Sequence, residues 1–196
     1  MISGIALVIL LPIFVIIGIF IKLDSKGPVF FIQERVGKEG KVFRAYKLRT
    51  MTQGAEKITK GVIFGEDNPC ITKVGKYLRR TGFDELVQLI NVFKGDMSLV
   101  GPRPALPYQI KNYNNIQKKR LSVKPGITGW ALINGRNSLT WTKRIELDLW
   151  YIKHWSIWLD MKILISTVYV VIKGEGMYAE KGRKDKIVTL DLKEDD

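Results

Sequence analysis

The sequence predicts an α/β protein that is mostly helical and contains one small strand or hairpin element. Three features predict it: an apolar run from Ile2 to Ile21, alternating apolar and polar residues around a glycine-rich turn, and helical spacing of apolar residues over much of the remainder. We expect a membrane helix at residues 1–22, a single interfacial domain with amphipathic surface helices at residues 23–180, and a charged tail at residues 181–196.

The apolar run contains no charged residue, and roughly 20 residues are what a helix needs to cross a bilayer. A signal peptide fits less well, because neither a basic segment nor a small-residue cleavage site flanks the run. A buried core helix also fits less well, because a run this long without a polar face is more typical of membranes. Pro12 removes a backbone donor and predicts a kink. On these residues alone, a spanning helix and a helix that returns to the same leaflet both remain open.

A β-hairpin is predicted directly after this helix. Residues 29–33 favour a strand, Gly37–Gly40 supplies a turn, and the alternation in residues 41–51 predicts the second strand. We expect the apolar residues of the second strand on one face and its basic residues on the other. The basic residues are Arg44, Lys47 and Arg49. A solvated surface would show the same pattern, so the pattern alone assigns no ligand.

The remaining segments predict a long loop and further helices. A polar stretch from Thr52 to Pro69 is typical of the long loops that form lids or mobile segments. Residues 71–83 predict a basic amphipathic helix suited to a membrane surface or a phosphate site. Residues 139–174 predict two helices rich in tryptophan. Such residues are typical of the headgroup level of a bilayer, although a tryptophan-rich soluble core would give a similar pattern.

The composition narrows the partners of the chain. Its 196 residues carry a formal net charge of +13, which indicates an anionic partner: nucleic acid, an acidic membrane face or a phosphate-bearing substrate. Cys70 is the only cysteine, which excludes an intrachain disulfide framework and favours a reducing compartment. His154 is the only histidine, so we expect any bound cation to have oxygen ligands.

Two adjacent acids, Asp84 and Glu85, are unusual in this basic chain. Thr81 followed by Asp84 resembles a capping box, which places Asp84 in the first turn of a helix. The helix dipole and free backbone N–H groups there favour the carboxylate form, and an ionised aspartate can act as a nucleophile or bind a hard cation. Glu85 points about 100° away around the helix, so the two carboxyl groups can flank one pocket.

The same helix is predicted to have a polar side and a buried side. Gln88 and Asn91 continue the polar stripe that begins at Asp84. The residues expected on the buried side are Leu86, Leu89, Ile90 and Phe93. Acids near a helix N-terminus also favour the macrodipole without any catalytic role, so the position alone leaves both interpretations open.

Two stiff basic loops follow the acidic pair. Arg103 stands between two prolines, which keep the segment extended and present the arginine from a rigid backbone. Lys124, Gly126 and Arg136 lie in a second, glycine-rich loop whose backbone can approach a ligand closely. Because arginine binds phosphate bidentately, basic loops around one acidic pair favour a cation-bound diphosphate as the ligand.

These motifs together resemble the bacterial sugar transferase family, the small monotopic phosphoglycosyl transferases. The resemblance is carried by FDELVQLINVFKGDMSLVGPRP (83–104) and KPGITGWALINGRN (124–137). FIQERVGKEGKVFRAYKLRTM (31–51) precedes them, and LDLWYIKHWSIWLDMKIL (147–164) follows them. The stretches stand in the family's order, and the resemblance covers nearly the whole chain.

The resemblance implies an enzyme that transfers a sugar-1-phosphate from a UDP-sugar to polyprenyl phosphate, usually undecaprenyl phosphate, and releases UMP. It implies Asp84 as the nucleophile that forms a covalent phosphosugar intermediate and helps to bind Mg²⁺, and Glu85 as a helper in proton handling. The residues expected to bind substrate are Lys47, Arg79, Arg103, Pro104, Gly126, Arg136, Asp148 and Asp160.

The resemblance also implies where the enzyme works. The family's N-terminal helix is re-entrant and bent at a proline, which implies Pro12 as the membrane bend. The catalytic domain is expected on the cytoplasmic face of the inner membrane, among membrane lipids, in the first membrane step of O-antigen, capsule, exopolysaccharide or glycoprotein oligosaccharide assembly. No nucleic acid is expected as a partner, and a homodimer is compatible with the family. No residue selects the sugar or the glycan pathway.

The chain departs from the family pattern in three places. Val87 stands where the family usually has proline, so the first helical turn is expected to be less preset. Leu11 precedes Pro12, where a small polar residue can assist the bend. The charged opening usual before the apolar run is missing, as expected of a shortened reading frame.

Three other functions compete with this interpretation. A membrane-tethered nucleic-acid binder would use the same positive charge but leaves Asp84 and Glu85 unexplained, since carboxylates repel phosphates. A structural scaffold of a polysaccharide export complex predicts that Asp84→Asn leaves glycan assembly intact. A nucleotide-sugar hydrolase predicts UMP release that does not depend on polyprenyl phosphate.

Overall fold

Helices and two small sheets make up the described part of the chain, residues 2–55 and 68–174 of the computed structural model. The helices are α1 (Ile2–Asp24), α2 (Lys73–Thr81), α3 (Phe83–Leu86), α4 (Leu89–Lys94), α5 (Pro107–Ile110), α6 (Asn115–Lys118), α7 (Trp130–Ile133), α8 (Trp141–Lys153) and α9 (Ile157–Lys173). The strands are β1 (Phe30–Val36), β2 (Val42–Leu48), β3 (Ser98–Val100) and β4 (Gly126–Thr128). The mostly helical class with small strands is confirmed. Most of the predicted loop from Thr52 to Pro69 and the charged tail at 181–196 lie outside the described residues.

Helix α1 is apolar on every side, but the rest of the protein covers only one side. Phe14 and Ile21 are buried in a core cluster with Leu48, Leu78 and Val87. The exposed apolar side chains include Ile5, Val8, Ile9, Leu11, Ile19 and Leu23. Within residues 2–55 and 68–174, α1 is the one helix long and apolar enough to cross a membrane, with a mean hydropathy of 3.1. This helix suggests membrane association.

Pro12 lies inside α1, and helical structure continues on both sides of it from Ile2 to Asp24. A proline removes one backbone hydrogen bond, but it does not by itself decide whether a helix returns to the leaflet it entered. The membrane bend at Pro12 therefore stays a prediction.

Polar contacts at the end of α1 join it to the hairpin and to α2. The buried guanidinium of Arg49 donates hydrogen bonds to the carbonyl oxygen of Ile21, in the last turn of α1, and to that of Ser25, just after it. A carboxylate oxygen of Asp24 accepts a hydrogen bond of 2.8 Å from the backbone N–H of Val74, in the first turn of α2. The apolar helix, the hairpin and α2 therefore form one unit.

Strands β1 and β2 pair antiparallel around a turn at Lys38–Gly40, so the predicted hairpin is confirmed. The single basic face predicted for the second strand is wrong. Successive side chains of a strand alternate between its faces, so Arg44 and Lys47, three residues apart in the sequence, point to opposite sides. Arg44 is exposed opposite Glu34, Lys47 contacts the acidic pair, and Arg49 lies beyond the end of the strand.

Helix α2 lies where a basic helix is predicted, but Thr81 ends it and does not cap the next helix. The Thr81 hydroxyl donates to the carbonyl oxygens of Tyr77 and Leu78. Gly82 adopts a left-handed conformation, with φ of 69°, that redirects the chain between α2 and α3, and no side chain caps α3. The capping-box prediction is therefore wrong, although Asp84 does lie in the first turn of α3.

The polar stripe predicted after the acids is buried. The Asn91 side chain donates 2.7 Å to the carbonyl oxygen of Arg44 and accepts 3.1 Å from the backbone N–H of Tyr46, which joins α4 to β2. Gln88 is 3% exposed. Phe93, predicted to be buried, is 65% exposed, and its ring lies beside Gly4 of α1.

A second sheet, absent from the sequence prediction, pairs β3 with β4 in parallel. Gly101 and Gly126 lie so close that a Cβ atom on Gly126 would collide with the backbone nitrogen of Gly101. The glycine predicted to admit a ligand thus admits another part of the chain. This contact fixes the loop that carries Arg103 against the loop that leads to α7.

Helices α8 and α9 confirm the two helices predicted near the C-terminus. Trp141 and Tyr151 are buried in two separate core clusters, so the aromatic belt predicted for them is wrong. Trp155 and Trp158 are 61% and 81% exposed. For these exposed residues the membrane-interface role stays a prediction.

Candidate active site

Glu85 is held by two cations from different parts of the chain. Arg103 approaches it with both terminal nitrogens, Nη1 at 3.1 Å from Oε2 and Nη2 at 2.7 Å from Oε1. Nζ of Lys47 lies 2.7 Å from Oε1. Burial opposes ionisation of Glu85, but Arg103 and Lys47 outweigh it and hold its pKa well below the ordinary value. Helix α3, strand β2 and the loop after β3 therefore meet at one ionised carboxylate.

Asp84, the neighbouring carboxylate, differs from Glu85 in having a raised pKa and, among the described residues, no ion pair. It is 9% exposed and makes no ion pair with any residue of the described ranges. Burial and the negative charge of Glu85 raise the pKa of Asp84 from 3.8 to about 6, against the attraction of Lys47, Arg79 and Arg103. The sequence predicts stabilisation of its ionised form by the helix dipole, but burial outweighs the dipole of a helix as short as α3.

Three more arginines lie around the acidic pair without an ion pair to it. Arg79 acts on Asp84 through its charge and donates from Nε to a threonine hydroxyl. Arg35 donates 3.0 Å to the carbonyl oxygen of Pro104, and burial and the charge of Arg103 lower its pKa to about 10. Nη1 of Arg136 is buried and has no hydrogen-bond partner among the described residues. Cations thus outnumber acids, which favours an anionic ligand.

A small pocket opens beside Glu85. The residues that line it include Arg35, Lys47, Glu85, Arg103, Pro104 and Gly126. The structure therefore brings together Lys47, Arg103, Pro104 and Gly126, all predicted to bind substrate, at the side of the acidic pair.

Two other predicted substrate-binding residues have protein partners of their own. Asp148 is 1% exposed, and its Oδ2 lies 2.6 Å from Nε of Arg120. Asp160, in the first turn of α9, accepts hydrogen bonds from the Tyr151 hydroxyl at 2.7 Å and from the Trp155 indole at 3.2 Å. Neither carboxylate lines the pocket beside Glu85. Both carboxylates are therefore bound by protein groups in this arrangement, and their contact with substrate stays a prediction.

No cluster of three or more His, Cys, Asp or Glu side chains suited to a metal ion is present in residues 2–55 and 68–174. Mg²⁺, however, is often bound by one or two carboxylates together with substrate phosphates and water. Asp84 has oxygens free of ion pairs, whereas both oxygens of Glu85 are occupied by cations. The residues present fit a magnesium ion that arrives with a diphosphate.

Two residues of this region, Arg35 and Arg120, escape prediction from the sequence. Strand alternation places Arg35 on the same face as Phe31, and Phe31 pairs with Lys47, so the register of the hairpin does carry a signal for Arg35. Nothing local distinguishes the buried Arg120 from Lys118 and Lys119, the exposed lysines before it. Its burial follows from long-range packing alone.

Comparison with known proteins agrees with the resemblance. The family model for bacterial sugar transferases matches residues 1–174. The chain is 50% identical over 157 residues to the uncharacterized sugar transferase EpsL of Bacillus subtilis (strain 168), a match that covers 80% of this chain and 76% of that protein.

Two longer relatives match the same part of the chain. The galactosyl transferase CpsE of Streptococcus agalactiae serotype III (strain NEM316) is 50% identical over 161 residues. The UDP-glucose:undecaprenyl-phosphate glucose-1-phosphate transferase of Escherichia coli (strain K12) is 43% identical over 173 residues. These matches cover 76% and 83% of this chain but only 36% and 37% of the two relatives. Because the family model matches most of this chain, the chain belongs to the bacterial sugar transferase family.

Proposed function

We propose that this protein transfers a sugar-1-phosphate from a UDP-sugar to a polyprenyl phosphate such as undecaprenyl phosphate, with release of UMP. The name of the E. coli relative describes this reaction for glucose. The observation that carries the proposal is the contrast within the acidic pair. Glu85 is clamped by Lys47 and Arg103, while Asp84 is buried, free of ion pairs and surrounded by positive charge.

The reaction proceeds in two displacements at one phosphorus atom. A carboxylate oxygen of Asp84 attacks the phosphorus that bears the sugar, and the bond from that phosphorus to the oxygen of UMP breaks. An oxygen of the polyprenyl phosphate then attacks the same phosphorus, and the bond to Asp84 breaks. A covalent intermediate lets one site use a water-soluble donor and a lipid acceptor in turn.

The surrounding cations supply what phosphoryl transfer needs most, positioning and neutralisation of charge. Arg136 and Arg35 each keep one buried guanidinium nitrogen without a partner in the described ranges, Nη1 and Nε respectively. A phosphate oxygen would satisfy Nη1 of Arg136. Arg79 acts on Asp84 through its charge. These residues bind the diphosphate of the donor.

In this geometry Glu85 holds other side chains in place and does not transfer a proton. A carboxylate whose pKa lies well below its ordinary value is a poor proton acceptor, which argues against proton handling by Glu85. Its two oxygens instead fix Lys47 and Arg103 at the edge of the pocket. The polyprenyl phosphate needs little help, because an ionised phosphate oxygen is already a nucleophile.

A magnesium ion fits this site as a companion of the donor diphosphate. Asp84 would contribute an oxygen ligand, and the phosphates and water would complete the shell. When bound, the ion would neutralise charge on the diphosphate. Removal of divalent cations with a chelator should abolish UMP release and Mg²⁺ should restore it; full activity in the chelator would contradict this assignment.

Membrane attachment agrees with a lipid acceptor. Helix α1 is apolar, and α9 exposes apolar side chains on one flank: Trp158, Ile165, Val168 and Ile172. We assign the basic domain to the cytoplasmic face of the inner membrane by the positive-inside tendency, with α1 bent back at Pro12. A maleimide applied from the cytoplasmic side should then label Ile5→Cys, at a position that is 60% exposed, in a Cys70→Ser background. Labelling only from the opposite side would contradict the bend.

The direct test is to trap the intermediate. The full chain is incubated with UDP-glucose or UDP-galactose in the absence of polyprenyl phosphate, and its peptides are analysed by mass spectrometry. We expect a hexose phosphate on the peptide that contains Asp84, together with one equivalent of UMP. Asp84→Asn should abolish both and lower turnover by at least about 10³-fold, as removal of a nucleophile does.

Asp96→Asn is the matched control, since it removes a nearby aspartate that lies outside the pocket beside Glu85. That variant should keep the label. A label on another residue, or turnover that survives Asp84→Asn, would contradict the assignment. UMP release without any dependence on polyprenyl phosphate would favour a nucleotide-sugar hydrolase.

A further inference from the structure

A buried network stands behind Arg103. Arg120 is 3% exposed and uses all of its guanidinium nitrogens. Nε lies 2.6 Å from Oδ2 of Asp148, Nη1 donates 2.9 Å to the Tyr113 hydroxyl, and Nη2 donates 2.6 Å to the carbonyl oxygen of Arg103. The ring of Trp141 lies 5.1 Å from the guanidinium carbon. Arg120 is therefore fixed on every polar atom.

The bond to Arg103 joins this network to the site. The flanking prolines keep the backbone extended, and within that range the carbonyl oxygen after Arg103 is oriented by its own hydrogen bond. Arg120 holds the carbonyl oxygen of that peptide, and Arg35 holds the next carbonyl, that of Pro104, at 3.0 Å. At its other end, Arg103 holds Glu85 with two hydrogen bonds. The backbone of the loop is thus held by Arg120 and Arg35, and the guanidinium of Arg103 is held by Glu85.

We propose that Arg120 is a positioning residue: it holds the backbone of Arg103 so that the guanidinium meets Glu85 and the donor diphosphate in register. Asp148 holds Arg120 in turn. This inference rests on the proposed function, because the phosphate that Arg103 meets is that of the donor. Asp148 then acts on the ligand indirectly, through Arg120 and Arg103, and does not contact the substrate.

A purely structural pair would not need this arrangement. Burial of an ion pair contributes little net stability, because desolvation offsets much of the attraction. The Arg120–Asp148 pair could be replaced by apolar side chains on stability grounds. What an apolar replacement could not supply is the donor to the carbonyl oxygen of Arg103, a backbone atom of a site residue.

The test compares Arg120→Lys with Arg144→Lys in the full chain. Lysine keeps the charge beside Asp148 but cannot reach three acceptors with fixed geometry. Arg144 is also buried and also stacks on Trp141, at 5.9 Å, which makes it the matched control. Turnover is measured as UMP release from UDP-glucose and UDP-galactose with undecaprenyl phosphate. We expect kcat to fall about 10-fold to 100-fold in Arg120→Lys, the effect of a misplaced site group, and within about twofold in Arg144→Lys.

A second readout needs no turnover. The Nε–H group of Arg103 is followed by NMR with ¹⁵N-labelled arginine and assigned by loss of its signal in Arg103→Lys. Because two hydrogen bonds hold the guanidinium of Arg103 against Glu85, loosening of the Arg103 backbone should shift this signal in Arg120→Lys and leave it in place in Arg144→Lys. A loss of stability alone would not shift this signal.

These readouts separate the two proposals. A wild-type chain that releases no UMP from any UDP-sugar in a panel of donors contradicts the proposed function, whatever Arg120 does. An unchanged Arg103 signal together with kcat within twofold of wild type in Arg120→Lys overturns the positioning role. If thermal unfolding shows that Arg120→Lys does not fold, Asp148→Asn replaces it. That variant should shift the Arg103 signal in the same direction by less, and no shift would overturn the proposal.

Discussion

Two clusters of buried charge meet at Arg103, and they are organised in opposite ways. Around Arg120, each guanidinium nitrogen has an acceptor. Around the acidic pair, Nη1 of Arg136 lacks a partner and Asp84 lacks an ion pair within the described ranges. Because proteins generally pair their buried polar groups, the Arg120 guanidinium is complete as folded, whereas the Arg136 guanidinium and Asp84 are complete only with a ligand. The difference separates two parts of the site. The frame is the group of residues around Arg120 that holds the site in place, and the binding surface is the group around Asp84 and Arg136 that is open to a ligand.

A similar contrast exists between Glu85, which is paired with cations, and Asp84, which has no ion pair in the described part of the chain. Removal of the two charges should therefore have opposite effects on the free energy of unfolding at pH 7. The folded pKa of Glu85 is lowered, so its ionised form stabilises the fold above its ordinary pKa, and this is lost as the pH falls through the folded value. Glu85→Gln should therefore cost about 2–4 kcal/mol, somewhat less than for a fully buried pair because Arg103 is partly exposed.

Asp84→Asn should instead raise the melting temperature at pH 7. The folded pKa of Asp84 is raised to about 6, so its ionised form opposes folding at pH 7. This opposition begins as the pH rises past the unfolded value and is complete above the folded one. Thermal unfolding of both variants in one detergent gives the comparison. Melting temperatures that shift in the same direction would show that the two carboxylates do not differ as described.

The unpartnered nitrogen of Arg136 predicts a change in affinity without a loss of stability. Arg136 has a positive φ of 50°, a conformation that asparagine tolerates, so Arg136→Asn removes the guanidinium with little strain. We expect KM for the UDP-sugar to rise about 10-fold to 100-fold, the effect of losing one charged hydrogen bond.

The control for Arg136→Asn is Arg44→Asn, which removes the same charge from the exposed face of β2. It should leave KM unchanged, because Arg44 lies on the face of the strand opposite to Lys47. Equal effects of the two variants on KM would indicate that net charge alone attracts the donor. A fall in melting temperature for Arg136→Asn would place Arg136 in the frame and not in the binding surface.

The raised pKa of Asp84 predicts the acid limb of the pH profile. The nucleophile must be ionised, and with a pKa of about 6 it is mostly ionised at neutral pH and mostly protonated below about pH 5. We expect kcat/KM to fall about tenfold for each unit of pH below 6. Measurement of UMP release from pH 4.5 to 8, with unfolding checked at each pH, tests this. A limb centred near 4, the ordinary range of aspartate, would show that burial does not control Asp84.

Local patterns were sufficient to predict the parts of this fold that local physics determines. The apolar run, the hairpin and the two C-terminal helices have periodicities that short windows carry. The capping box failed because Gly82 in a left-handed conformation ends one helix and begins the next, which a pattern of Thr81 and Asp84 cannot distinguish. The parallel pairing of β3 and β4 is too short and too distant in sequence to leave a pattern.

The site was predictable in its residue types but not in its pairings. Asp84, Glu85 and Arg103 stand in motifs that chemistry makes recognisable. That Arg103 binds Glu85 and leaves Asp84 without an ion pair depends on where three segments meet, which is a property of packing. Burial also decided the direction of the pKa of Asp84 against the helix dipole.

The smallest expected effect concerns Val87, which lies in the core cluster beneath the acidic pair. Its φ of −63° is the angle that a proline ring imposes, so the backbone already has the geometry expected from proline at this position. Its side chain is 2% exposed and packs with Phe14 and Leu78, which explains why an apolar residue suits the position. Val87→Pro should gain roughly 0.4–1 kcal/mol from a stiffer unfolded chain. It should lose a similar amount from the restriction on helical Leu86, and about 0.5–1.5 kcal/mol more because it removes the Val87 N–H that donates to the carbonyl oxygen of Glu85.

We therefore expect Val87→Pro to lower the free energy of unfolding by about 1 kcal/mol and to change kcat by less than about threefold. Val87→Ala is the control, since it leaves the backbone free and opens a cavity in the core cluster; it should cost about 1–2 kcal/mol. Chemical denaturation of the two variants measures both values. If Val87→Pro lost more stability than Val87→Ala, the turn between α3 and α4 would not be preset. The acidic pair would then depend on a flexible backbone, and the frame would be less complete than its hydrogen bonds indicate.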